Sequence, residues 1–288
     1  MSRFLENLAA FIQTQPFDII RVTRIKDGIS ETLEGTEANP CQNLYSVAKS
    51  FTMTAIGLLY DRGLVKPEDK VCAILQDELP ETDMDPRWHD VTVDMALTHR
   101  PGLPVGFLDI DVNPSSKFGW DYLHYMLTYP LVCDPGTEYR YSDGAFYLLS
   151  RIASKLAGVP MDTFLWKELF YPLGFQEMAW SRCPMGYPMG ATGLYIGSAD
   201  MAKLGQLYLD KGMYDGKRIL SEEWVDLALT RSYGFDWNEN HTCFAKGGMC
   251  GQRLMVVPED RLVIALQAYG ANSDVVAKWV LEHSREGD

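Results

Sequence analysis

Arg253-Leu254-Met255-Val256-Val257, Pro258-Glu259-Asp260 and Arg261-Leu262-Val263-Ile264-Ala265-Leu266 read as two apolar strands joined by a tight turn. Cys243-Phe244-Ala245-Lys246, just before a glycine-rich step, reads as a third strand beside them. At the other end of the chain, Phe17 to Ile25 alternates and is rich in β-branched residues. Lys26-Asp27-Gly28 supplies a turn, and Ile29 to Leu33 returns as a strand. A lone hairpin is marginal in water, so the two early and three late strands are expected in one antiparallel sheet. Leu5, Leu8 and Ile12 mark an amphipathic first helix, and Val276, Val280 and Leu281 mark a last helix from Ser273 to about His283. Both are expected on a face of that sheet.

From Ser46 to about Leu173 the pattern is mostly helical, broken by loops such as Arg100-Pro101-Gly102-Leu103-Pro104 and Asp134-Pro135-Gly136-Thr137. Ser198 and Ser221 read as N-caps of two later helices. The expected fold is therefore α/β (α+β): an antiparallel sheet flanked by terminal helices, plus an inserted all-helical domain. The expected domains are residues 1–66 with 190–288, discontinuous and α/β, and residues 67–189, helical. The active site is expected in the cleft between them.

A chain of 288 residues with 47% hydrophobic content can fill one or two cores. It contains no run of about 18 apolar residues, so no membrane partner is expected. Met1 to Asn7 lacks the apolar core of a signal peptide, which points to a cytoplasmic protein. Cys41, Cys72, Cys133, Cys183, Cys243 and Cys250 form no Cys-x-x-Cys pair, so neither a zinc site nor a disulfide framework is signalled. The formal charge of −13 argues against nucleic acid or an anionic membrane surface as partner. A small-molecule partner is compatible with it, and nothing in the sequence sets an oligomeric state.

Ser46-Val47-Ala48-Lys49 supplies candidate chemistry. Ser46 is expected to open a helix carrying Phe51, Ala55, Leu58 and Leu59 at helical spacing, where unpaired N–H groups and the helix dipole lie beside its hydroxyl. Lys49, three residues on, shares its face, and an amine in a dry cleft gives up its proton more readily and can then take the serine's. An N-cap serine followed by a solvated lysine would look the same. Tyr141, in Tyr139-Arg140-Tyr141-Ser142-Asp143-Gly144, stands on a loop before a helix, where a phenol can enter a cleft or simply sit at an interface. Lys246-Gly247-Gly248-Met249 ends a strand, where glycines permit close approach by a ligand or merely a turn.

Taken in order, Ser46-x-x-Lys49, Tyr141-Ser142-Asp143 and Lys246-Gly247-Gly248 resemble the Ser-x-x-Lys, Tyr-x-Asn and Lys/His-Thr-Gly elements of the penicillin-recognising serine hydrolases, most of all the class C β-lactamase-like branch with its esterases and D-amino-acid peptidases. Leu97 to Pro104 is similar to that family's Leu-Thr-His-x-Ser-Gly-Leu-Pro, and Thr192 to Met201 to its Gly-Gly-Leu…Ser…Asp-Met segment. The resemblance implies that Ser46 attacks a carbonyl and that Lys49 and Tyr141 move the proton. It also implies that the backbone N–H groups of Ser46 and Met249 hold the oxyanion, and that Lys246, Gly247, Gly248 and Asp143 meet the substrate. It implies no metal and no cofactor.

Two positions depart from the family pattern. Asp143 stands where the family has Asn, exchanging a hydrogen-bond donor for a carboxylate that can pair with Lys49 or Lys246 and raise that lysine's pKa unless desolvation opposes it. Gly247 stands where the family has Thr. Both changes favour a small ester or amide as substrate, with a β-lactam or a D-alanyl peptide as the alternatives within the family. From another class, a non-catalytic ligand-binding homologue would keep the fold and lose turnover. A Ser-His-Asp hydrolase finds no Gly-x-Ser-x-Gly elbow, and His99 belongs to the loop motif above.

Overall fold

A computed structural model of the protein describes residues 1–285. The chain divides into two compact units: Met1–Val47, Pro172–Ala179 and Leu194–Asp288 form the first, and Ala48–Tyr171 with Trp180–Gly193 the second.

The first unit is built on a six-stranded sheet of β1 (Ile19–Lys26), β2 (Ile29–Glu34), β3 (Asp236–Trp237), β4 (Phe244–Gly247), β5 (Arg253–Val257) and β6 (Leu262–Ala268). Its order is β2-β1-β6-β5-β4-β3, antiparallel throughout, so the first hairpin joins the last strands as the sequence led one to expect. The β1–β6 pairing sets Val22 against Leu266 and Ile25 against Val263. All seven residues of β6 are buried. A strand covered on both faces reads as a continuous apolar run, which is why Leu262 to Leu266 shows no alternation. One face packs Leu5, Leu8 and Ile12 of the Arg3–Gln13 helix and Val276 and Val280 of the Ser273–His283 helix against Val22, Ile264 and Leu266. The other face carries the Ser198–Leu209 helix, whose Ser198 hydroxyl lies 2.8 Å from that of Thr23 on β1. That helix packs closely because Gly205 has no side chain: a Cβ there would come within 2.5 Å of Val263. The two-residue strand β3, at the sheet edge, is an addition to the strands read from the sequence.

The second unit is helical. The Ala48–Tyr60 helix packs on the Asp143–Ala157 helix and on Met161–Leu165, and Val93–Leu97 also lies against Asp143–Ala157. Every residue from Ala48 to Leu59 is buried. A helix buried all round needs neighbours on every side, and these helices supply them. The first break between units therefore falls at 47/48, where the sequence placed it at 66/67, and residues 172–179 return to the first unit before the second is complete. The helix start also differs from expectation. Ser46 is the middle residue of a 3-10 turn, Tyr45–Val47, and the α-helix begins at Ala48. Among the described residues no helix is long and apolar enough to cross a membrane.

Candidate active site

In the first unit the segment leading to Ser46 is held by backbone bonds. Gln42–Asn43 pairs with Leu194–Ile196, and the Leu44 N–H donates to the Leu194 carbonyl at 2.8 Å. Tyr45 then adopts a left-handed backbone, with φ at 48°. For a bulky residue this is strained, and such strain persists only where the surroundings impose it. The Asn43 side chain is one such constraint, accepting from the Tyr45 N–H at 3.0 Å. The turn leaves Ser46 partly exposed while Val47, Ala48 and Lys49 are buried.

β4 runs alongside this turn and ends at Gly247. A Cβ on Gly248 would lie 2.4 Å from the Leu44 carbonyl oxygen and 3.3 Å from the Ser46 nitrogen. Only glycine lets the two backbones come so close, and the Met249 peptide follows at once. Cys250, with φ at 60°, turns the chain back, and the Gly248 N–H donates to the Gln252 carbonyl at 2.8 Å. Lys246 is buried on β4 with its ammonium 3.4 Å from Asp236 on β3. The first unit thus brings together Ser46, Gly248 and the start of Met249.

The second unit holds the remaining candidates. The Lys49 ammonium, fully buried, donates to Asp143 Oδ1 at 2.7 Å and to the Ala191 carbonyl at 3.1 Å. It stands 4.8 Å from the centre of the Tyr141 ring. Burial alone pulls the Lys49 pKa down, as the sequence led one to expect. The carboxylate of Asp143 and the hydroxyl of Tyr141 pull it up and prevail, so Lys49 lies above the ordinary lysine value and is an ammonium at neutral pH. Of the two partners open to Asp143 in the sequence, the structure gives it Lys49.

Two further carboxylates, absent from the sequence reading, stand beside this pair. One oxygen from each of Asp109, Asp111 and Asp143 lies within 4.8 Å of the others. The Thr192 hydroxyl donates to Asp111 at 2.5 Å. Burial pushes the Asp111 carboxyl up, and the negative charges of Asp143 and Asp109 add to it, against the hydrogen bond from Thr192 and the attraction of Lys49. Three carboxylates offer hard oxygen donors of the kind divalent cations take, yet the cation that Asp143 faces is the Lys49 ammonium. No local pattern marks Asp109 or Asp111. Their role comes from tertiary proximity to Asp143 and Thr192.

Comparison with known proteins gives the family and the fold. The model of the family described as Beta-lactamase matches residues 37–284. The chain is similar to N-acetylmuramyl-L-alanine amidase of Bacillus subtilis strain 168, with 24% identity over 197 residues, 50% of this chain and 45% of the relative. It is also similar to 6-aminohexanoate-dimer hydrolase of Paenarthrobacter ureafaciens, with 25% identity over 207 residues, 65% of this chain and 50% of the relative. The chain spans about half the length of these two curated relatives. Among solved structures, the penicillin binding protein from Bacillus halodurans superposes with a TM-score of 0.74 at 16% identity, over 98% of this chain and 99% of that one.

The raised Asp111 pKa gives a signed expectation for stability. The fold disfavours the ionised form, so the penalty develops as pH rises from the ordinary aspartate value of about 3.9 through the folded value. Asp111→Asn, which mimics the neutral acid and still accepts from Thr192, should raise Tm at pH 7. The gain should shrink as pH falls towards about 4. Thermal melts of both proteins across that range check it, and a gain that grows on acidification would refute the sign.

Proposed function

We propose that the chain, which belongs to the beta-lactamase family, is a serine hydrolase that cleaves an ester or amide of a small substrate through an acyl-enzyme on Ser46. The observation that carries this reading is the contact of Gly248 with the Ser46 turn, because an oxyanion needs two backbone N–H groups side by side next to the nucleophile. The strained Tyr45 backbone supports it, since such strain concentrates at functional positions. The names of the amidase and the dimer hydrolase support amide cleavage, and that of lovastatin esterase from Penicillium rubens, 31% identical over 101 residues, supports ester cleavage.

In this reading the Ser46 oxygen attacks the carbonyl carbon, and the N–H groups of Ser46 and Met249 receive the negative charge that forms on the carbonyl oxygen. The Tyr141 hydroxyl takes the proton from Ser46 as it gives its own to the departing oxygen or nitrogen. Lys49, held as an ammonium, donates towards the Tyr141 oxygen and stabilises charge that develops on it during the transfer. A water then attacks the acyl carbon, with Tyr141 relaying its proton back to Ser46. Lys246 supplies positive potential from β4. The chemistry uses the chain's own side chains at each step.

The nucleophile is tested by exposing the protein to a fluorophosphonate and mapping the adduct by mass spectrometry. One adduct on Ser46 is expected, and Ser46→Ala should take no label and lose at least about 10³-fold in ester turnover with its melting transition kept. Labelling elsewhere, or turnover in Ser46→Ala within tenfold of wild type, would refute the assignment. Intact protein that neither labels nor turns over any ester, amide or β-lactam would favour the non-catalytic, ligand-binding alternative.

The preference for neutral esters and small amides rests on charge. Asp109, Asp111 and Asp143 cluster beside Lys49, and Gly247 lacks the hydroxyl that would help hold a substrate carboxylate. Like charges in a low-dielectric site repel, so a substrate carboxylate is disfavoured there. A short-chain p-nitrophenyl ester should have a higher kcat/KM than a cephalosporin. The reverse order across every ester tried would overturn the preference and return the reading to a β-lactamase or D-alanyl-peptide carboxypeptidase.

A further inference from the structure

His99 grips the segment that carries Tyr141 from both sides. It stands just beyond the Val93–Leu97 helix, 5% exposed, with a left-handed backbone at φ 56°. Its N–H donates to the Ala96 carbonyl at 3.2 Å, and the next residue, Arg100, donates to Met95 at 2.7 Å, so the histidine is anchored to the helix end. Its carbonyl oxygen accepts the Arg140 N–H at 2.8 Å. Its ring Nδ1 accepts the Ser142 N–H at 3.3 Å. These two bonds fall on the residues immediately before and after Tyr141. Between them the imidazole lies against the Tyr141 ring, centroids 4.4 Å apart and planes 32° apart, with Phe146 behind it at 5.0 Å.

We propose that His99 is the positioning residue of Tyr141, fixing the backbone on either side of the tyrosine by hydrogen bonds and the plane of its phenol by ring contact. The inference rests on the reading of Tyr141 as proton carrier and adds the group that places it. Because Nδ1 accepts from a backbone N–H, the imidazole is neutral with its proton on Nε2; an imidazolium has two donors and no acceptor and would release Ser142. The geometry also accounts for the backbone at position 99. A histidine with φ > 0 is uncommon and tolerated when a local bond holds it, and here that conformation directs the ring and the carbonyl oxygen to the same segment. His99 touches no reacting atom in this account. A shift of about 1 Å in a group that moves a proton costs about 10²-fold in rate, so loss of the grip should appear in kcat while KM changes little.

Two variants and two readouts test it. His99→Ala removes the ring and the acceptor, whereas His99→Asn keeps an acceptor at the δ1 position and a residue type that accepts φ > 0. A crystal structure of His99→Ala should show the Tyr141 hydroxyl displaced by about 1 Å or more, with the Lys49–Asp143 pair unmoved. A Tyr141 that keeps its place would overturn the proposal whatever the protein's activity. In ester hydrolysis kcat should fall by about 10–100-fold in His99→Ala, and His99→Asn should recover part of that loss. In a Tyr141→Phe background neither change at 99 should cost more, because His99 acts through the hydroxyl already removed. An equal loss in both backgrounds, or a loss confined to KM, would show a merely structural role. If His99→Ala does not fold, His99→Asn is compared in the same two backgrounds and by the same displacement. Wild-type turnover in Tyr141→Phe alone would instead refute the proton-carrier reading, and the crystallographic result would still decide the positional claim.

Discussion

The ion pair between Lys49 and Asp143 is the interaction around which the second unit is arranged. An ammonium with no solvent exposure is tolerated only when it is paired and its donors are satisfied. Asp143, the Ala191 carbonyl and the Tyr141 hydroxyl fill that role. Removing one member of such a pair leaves a bare buried charge and costs on the order of 3–5 kcal/mol. The pair also joins the first turns of two helices, Ala48–Tyr60 and Asp143–Ala157, each buried along nearly its whole length. At the start of its helix the Asp143 carboxylate interacts favourably with the N-terminal dipole as well. One contact thus ties together the starts of the two helices at the centre of the second unit.

That pairing divides the chemical labour. A neutral lysine would be a base; in the proposed mechanism a lysine held by a carboxylate acts as a positive charge instead, and proton movement falls to the phenol beside it. Asp143, which pulls the Lys49 pKa up, stands where the family pattern has Asn and adds a third carboxylate to Asp109 and Asp111. The carboxylates outnumber the ammonium they surround, so the proposed preference for neutral substrates rests on the same pair that joins the helices. In the first unit the constraint is steric instead. Gly248 and the left-handed Tyr45 bring two stretches of backbone into contact, with little side-chain chemistry involved.

Much of the architecture is legible in the sequence because hairpins and amphipathic helices are local patterns. The Ile19–Lys26 and Ile29–Glu34 strands follow from alternation and a Lys26-Asp27-Gly28 turn, and the terminal helices follow from apolar spacing. β3 was beyond reach, since two residues at a sheet edge carry no periodicity. The start of the Ala48–Tyr60 helix was read two residues early because a serine in a 3-10 turn looks like an N-cap. Its assignment to the helical unit depends on burial on every face, which neighbours far along the chain decide. The site splits the same way. Ser46, Lys49, Tyr141 and Gly248 could be named from motif order, whereas Asp109, Asp111, Asn43 and the work of His99 depend on contacts between distant segments. The sequence leaves both directions open for the Lys49 pKa, down by burial and up by pairing with Asp143; that pairing prevails only through contacts between distant segments.

The central claim is that Asp143 holds the Lys49 pKa above its ordinary value, and the ionisation of Lys49 can be followed directly. With lysine labelled at 13Cε, the Lys49 signal, assigned by its loss in Lys49→Met, is titrated by NMR from pH 6 to the alkaline limit of the fold. The account predicts that Lys49 stays charged beyond the ordinary lysine value of about 10.4, and that Asp143→Asn, which leaves burial without the opposing charge, brings its titration to lower pH. A wild-type Lys49 already neutral at pH 7 to 8 would contradict the account and restore the lysine as the base.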